Sequence, residues 1–98
     1  AEAYYAAIAP HNPLGPIALA AGIQIAASIP NFLCQEQVHL GEGILRRPFV
    51  VGKGGYIDIP TAPGLGIELD ENALKTQIGH DWRNRETYDE DDGSVVDW

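Results

Sequence analysis

Ala6-Ala7-Ile8-Ala9, then Pro10-His11-Asn12-Pro13-Leu14-Gly15-Pro16, then Ile17-Ala18-Leu19-Ala20-Ala21-Gly22-Ile23-Gln24-Ile25-Ala26-Ala27-Ser28, then Ile29-Pro30-Asn31-Phe32-Leu33-Cys34-Gln35-Glu36 form one continuous run. Ala6–Ala9 is short, apolar and halted by a proline, so it reads as a buried strand. Two prolines and a glycine between positions 11 and 16 make a loop. Pro16 suits the first position of a helix, where its missing N–H costs nothing. From Ile17 to Ser28 the polar residues are Gln24 and Ser28, four apart, which leaves one narrow polar stripe and predicts a helix buried on most sides. Pro30 ends it, and Asn31–Gln35 reads as a second short strand ending at Glu36. Strand, loop, helix and strand within about 30 residues make a βαβ unit, whose strands are parallel.

Working outward, residues 1–5 begin like the end of a helix. Downstream, Arg47-Pro48-Phe49-Val50-Val51, a flexible Gly52-Lys53-Gly54-Gly55 and Tyr56-Ile57-Asp58-Ile59 suggest a hairpin. Thr61–Gly66 is rich in turn residues, and Ile67-Glu68-Leu69 is a further extended piece. Asp70 is a good N-cap for a helix from Glu71 to Gln77 that stops at Gly79. The fold class is therefore α/β. A parallel pair of strands with one greasy helix does not stand alone, because parallel sheets are covered on both faces by further βα units.

The chain has 98 residues, enough for one domain or a piece of one. Its formal charge of −8 repels phosphate backbones and anionic membrane surfaces, which excludes nucleic acid and membrane as expected partners. No apolar run reaches the roughly 18–20 residues of a membrane span, and no signal peptide is recognisable, so a soluble cytoplasmic protein is expected. The single cysteine forms neither an internal disulfide nor a Cys-based zinc site. From Asp81 onward seven acids and two arginines supply −5 of the charge, which reads as a solvated, irregular tail. Trp82, Tyr88 and Trp98 qualify that reading, since large aromatics tend to clip a segment onto a body.

Several motifs fail. Gly64-x-Gly66 starts like a dinucleotide fingerprint, but Leu69 stands where the third glycine belongs. Gly52-Lys53-Gly54 lacks both the leading glycine and the following Ser or Thr of a phosphate loop. Cys34, inside an apolar strand, reads as a buried inert thiol, His39 as a surface histidine near the strand ends, and His80 as a solvated residue past a helix end. His11 and Glu36 differ. Each directly follows a strand of one βαβ unit, so both stand at the carboxyl edge of one sheet, where ligands and catalytic groups gather. An imidazole and a carboxyl placed there can move a proton at neutral pH. A loop histidine and a strand-end carboxylate with structural partners account for the same pattern.

Ala9–Ile17, Ile29–Leu33 with Gln35-Glu36, Arg47-Pro48-Phe49, Pro60–Asp70, Asp81-Trp82-Arg83 and Gly93–Trp98 together resemble the end of the mandelate racemase branch of the enolase superfamily. Within it the chain is most similar to the acid-sugar dehydratases, those of D-galactonate and neighbouring aldonates. The resemblance covers essentially the whole chain. It implies a (β/α)₇β barrel of TIM type with a capping domain, of which this chain is the C-terminal portion: strand seven, helix seven, strand eight and a return segment. Residues 1–45 would be the last part of the barrel, and 46–98 the segment returning over barrel and cap.

The resemblance also implies a reaction. An aldonate such as D-galactonate loses its C2 proton with the help of Mg²⁺, giving an enediolate, and then expels the 3-hydroxyl as water. His11 matches the general base at C2, which forms a dyad with an aspartate of strand six. Glu36 matches the strand-eight acid that, when protonated, hydrogen-bonds the intermediate. Asn12 and Pro13 would line the substrate pocket. No metal ligand falls in this chain, since the family's lie upstream, and the full-length protein is expected to be a homo-oligomer. Other aldonates (gluconate, arabinonate, mannonate) or a racemase activity are the nearest alternatives. A small, complete, non-catalytic binding protein is the alternative of a different class.

Overall fold

The computed structural model describes residues 1–79, 88–89 and 91–95. His80, Trp82 and Trp98 lie outside the described residues, as do Asp81 and Arg83.

Pro16 opens the long helix α1, Pro16–Ser28, with Gly15 as N-cap. Ile29 is extended at φ −111°, as a residue before proline prefers, and so ends it. Pro16, Leu19, Ala20 and Ile23 are buried, one stripe at i, i+3, i+4 and i+7. Ile17 and Ile25 are exposed. The expected burial on most sides is thus realised on one side, because the remaining elements cover that stripe alone. Gln24, half of the expected polar stripe, donates from Nε2 to the Pro60 carbonyl at 3.1 Å.

The strands expected on either side of α1 meet at a single parallel bridge, Ile8 with Phe32. Ile8 N–H donates to Asn31 O and Leu33 N–H to Ile8 O, each at 2.8 Å. Parallel pairs are stable inside covered sheets, and neither segment has another ladder partner among the described residues. The N-terminal helix end is a short 3₁₀ turn, Glu2–Tyr4.

The core unites Leu19, Ala20 and Ile23 of α1 with Leu45 and Phe49, flanked by Leu40, Ile44, Ile57, Leu65 and Ile67. It straddles position 45, where sequence divides the chain. Leu45 forms an antiparallel bridge with Leu69, a pairing that the short piece 67–69 did not announce. The expected hairpin at 50–59 is instead a turn, closed by Gly52 N–H to Tyr56 O at 2.8 Å, with no strand on either side. Gly52, Gly54 and Gly55 lie within it and Pro48 and Pro60 flank the segment, which shortens any ladder. Helix α2 runs Glu71–Lys75, shorter than expected, and Asp70 caps it by accepting from Asn72 N–H and Ala73 N–H at 3.1 Å each.

Where it is described, the acidic run is exposed, as expected, and forms a turn held by its own hydrogen bonds. Tyr88 bridges Val95, Asp89 N–H donates to Ser94 O, and Asp89 Oδ1 accepts from Asp91 N–H at 2.9 Å. Asp residues cap turns with their own side chains, so a run of them builds a tight turn. Ser94 hydrogen bonds hold the Asp92 carboxyl below its usual range. The Cα radius of gyration is 17.5 Å, against about 13 Å for a compact domain of 100 residues.

Candidate active site

The bridge at Ile8–Phe32 sets two chain segments side by side, and each then runs on by a few residues to a reactive side chain. His11 follows the first and Glu36 the second. His11 Nδ1 lies 2.7 Å from Glu36 Oε2. The same oxygen accepts the backbone N–H of Asn12 at 2.7 Å. The two residues expected at one edge are therefore in direct contact.

The pair is open to solvent: the His11 side chain is 79% exposed and that of Glu36 44%. Hydrogen bonding to the charged form of a carboxyl favours ionisation. The Asn12 N–H, above all, holds Glu36 below the usual carboxylate range; partial desolvation opposes it, and the charge and hydrogen bond of His11 add to it. With Nδ1–H donated to a carboxylate, Nε2 is the ring nitrogen left to take a proton from elsewhere.

Asn12 is 3% exposed, and neither atom of its side-chain amide has a hydrogen-bond partner. Its contribution to the pair is its backbone N–H, and its amide is turned inward. Pro13 is exposed beside it. His39 accepts the Gly41 N–H on Nδ1 at 2.9 Å and lies 3.8 Å from Glu42. It serves the turn after Glu36. Cys34, expected to be buried, is exposed. It lies two residues past the isolated bridge at Phe32, where the described segments form no further ladder.

Sequence reasoning missed Gln35 and Asn31. Gln35 Nε2 donates to Pro10 O at 3.2 Å and Glu36 O at 2.8 Å. Asn31 Nδ2 donates to Ala6 O at 2.7 Å. The available signal was two amide side chains four apart in an otherwise apolar strand, hence on one face.

Among the described residues no group of three or more His, Cys, Asp or Glu is placed to hold a metal ion. These residues do not fit a metal site of their own. No described helix is long and apolar enough to cross a membrane.

Residues 1–73 match the family model described as enolase C-terminal domain-like. The chain is 42% identical over 109 aligned positions to D-galactonate dehydratase of Ralstonia nicotianae, and 41% identical to that of Cronobacter sakazakii. Each alignment takes in 100% of this chain and 28% of the relative, so the chain spans little more than a quarter of their length. Among solved structures it is similar to an enolase of the mandelate racemase subgroup from Agrobacterium tumefaciens. That match has a TM-score of 0.64 and 37% identity, covering 76% of this chain and 20% of the other. A structure from Burkholderia SAR-1, assigned to the mandelate racemase/muconate lactonizing enzymes, has a TM-score of 0.73 and 35% identity, covering 97% of this chain and 26% of the other. An imidazole–carboxylate pair set at the ends of two parallel segments around one helix, with these relatives, places the chain in the mandelate racemase/muconate lactonizing enzyme family of the enolase superfamily.

Proposed function

We propose that this chain supplies the C2 base and its carboxylate partner to an acid-sugar dehydratase acting on D-galactonate. The observation that carries the reading is the 2.7 Å contact between His11 Nδ1 and Glu36 Oε2. A proton alpha to a carboxylate is very weakly acidic, so its removal needs a positioned base and stabilisation of the dianion that forms. His11 takes the C2 proton on Nε2, and Glu36 stabilises the resulting imidazolium through Nδ1–H. Loss of the 3-hydroxyl as water then gives a 2-keto-3-deoxy acid. Mg²⁺ supplies charge neutralisation when bound, held by carboxylates outside these 98 residues.

The resemblance gives the partnership with His11 to an aspartate of strand six and gives Glu36 a different task, donating a hydrogen bond to the intermediate when protonated. The resting arrangement favours the carboxylate, so that task requires Glu36 first to gain a proton. In the barrel reading, the segment around Ile8 is strand seven, α1 helix seven and the segment around Phe32 strand eight, with 46–98 returning over the barrel and cap. The exposed outer face of α1 and the large radius of gyration support elements that pack against further chain. The full-length enzyme is proposed as a cytoplasmic homo-oligomer.

The test is to supply the full-length protein carrying this segment with Mg²⁺ and D-galactonate and to assay 2-keto-3-deoxy acid. Product from D-galactonate in preference to gluconate, arabinonate and mannonate is expected. Turnover of another aldonate alone overturns the substrate, and turnover of none overturns the dehydratase.

A further inference from the structure

The His11–Glu36 contact joins two segments whose backbones share one bridge, at Ile8–Phe32. A single bridge fixes two strands poorly at positions three or four residues beyond it, yet the pair needs its geometry held to a fraction of an ångström. Side-chain amides take over where the ladder stops. Asn31 Nδ2 reaches Ala6 O on one side of the bridge, and Gln35 Nε2 reaches Pro10 O on the other. Both donors stand 25 positions after their acceptors, so they share one register.

Gln35 does more than its counterpart. Its Nε2 also donates to the Glu36 carbonyl at 2.8 Å, so one amide nitrogen holds the carbonyl directly before His11 and the carbonyl of Glu36 itself. Its Oε1 is buried without a partner, a costly arrangement for an amide serving packing alone. Room for it is provided by α1: a Cβ on Gly22 would come within 2.7 Å of Gln35 Oε1 and 3.3 Å of Nε2. Glycine is unfavourable by about 1 kcal/mol in a helix interior, and the close approach of Gln35 accounts for its presence there.

We propose that Gln35, seated against Gly22, is the positioning residue of the site, setting the separation and angle of His11 and Glu36 without touching substrate. The assignment of a reaction to that pair rests on the dehydratase reading; the positioning itself rests on geometry.

The experiment compares full-length wild type with Gln35→Leu, Gly22→Ala and, as the clamp at the far end of the bridge, Asn31→Leu. Gln35→Leu is expected to lower kcat on D-galactonate by about tenfold to a hundredfold, the cost of misplaced reacting groups, while KM stays within about threefold. Gly22→Ala should act in the same direction, and in a Gln35→Ala background it should add nothing. Asn31→Leu, whose clamp lies at the end of the bridge remote from the pair, should lower kcat less than Gln35→Leu does; an equal loss would overturn the particular role of Gln35. A crystal structure of full-length Gln35→Leu should show the His11–Glu36 separation beyond the roughly 3.2 Å limit of a good hydrogen bond. Unchanged kcat, or a His11–Glu36 contact still at hydrogen-bond distance in that crystal, overturns the proposal. If Gln35→Leu fails to fold, Gly22→Ala carries the same decision. Wild type inactive on every aldonate would sink the dehydratase reading, while the crystal structure would still decide the positioning role.

Discussion

Glu36 Oε2 accepts from His11 Nδ1 and from the Asn12 backbone N–H at 2.7 Å each, so one carboxylate oxygen orients the imidazole and is itself fixed by the loop that carries the imidazole. Such an arrangement selects a tautomer. Nδ1 holds the proton that faces Glu36, and Nε2 is the basic nitrogen.

Replacing the base is the most direct check. His11→Asn in the full-length protein should abolish exchange of the C2 proton of the aldonate into deuterated water, a loss of about 10²- to 10⁴-fold. Exchange at the wild-type rate in that variant removes His11 from the role.

The pH dependence follows from Glu36. Its carboxyl is held below the usual range, chiefly by the Asn12 N–H. Its favourable contribution is therefore fully present above the ordinary carboxylate pKa and is lost only as pH falls through the lowered value. The acid limb of kcat/KM attributable to Glu36 should lie below the ordinary carboxylate range, and Glu36→Gln should remove that limb. An acid limb unchanged in Glu36→Gln assigns it to another group.

Asp70 caps α2 with one oxygen shared between two backbone N–H groups. Asp70→Ala should cost about 1 kcal/mol, and Asp70→Asn much less. Hydrogen exchange at Asn72 and Ala73 in the full-length protein reads this directly: faster exchange is expected with alanine, and equal protection would contradict the cap.

Gly64 and Gly66 separate two costs. Both have positive φ, +70° and +74°, but a Cβ has open space at Gly64 and would collide with Pro60 at Gly66. Gly64→Ala should cost about 1–2 kcal/mol for the left-handed backbone, and Gly66→Ala distinctly more, measured as the shift in urea midpoint. Equal shifts would show that the Pro60 approach relaxes freely.

The 98 residues in isolation should melt without a cooperative transition, since Ile17 and Ile25 lie on an uncovered helix face. A sharp, reversible melt of a monomer would instead favour a self-sufficient binding protein.

Sequence carried much of this. Pro16 and Pro30 marked α1 to within a residue, Asp70 marked α2, and the alternation of short apolar runs with loops placed His11 and Glu36 at one edge. What it hid depends on distant partners. The antiparallel pairing of Leu45 with Leu69 has no local signature, and the exposure of Cys34 depends on what lies beside its strand. The charge of the acidic run signals its exposure, but not that Asp side chains accepting their neighbours' N–H groups fold it into a turn. Gln35 stands beside Glu36 in the sequence, while its contacts are a carbonyl 25 positions earlier and a close approach to Gly22 of α1, neither of which has a local signature.

The bridge at Ile8–Phe32, both amide clamps and the His11–Glu36 contact all fall within residues 6–36. That makes the pair a cassette. Recombination between relatives with both crossovers outside this stretch transfers base, carboxylate and alignment together. A crossover inside α1 parts Gly22 from Gln35 or His11 from Glu36, so chimaeras joined there should fail more often than those joined after Glu36.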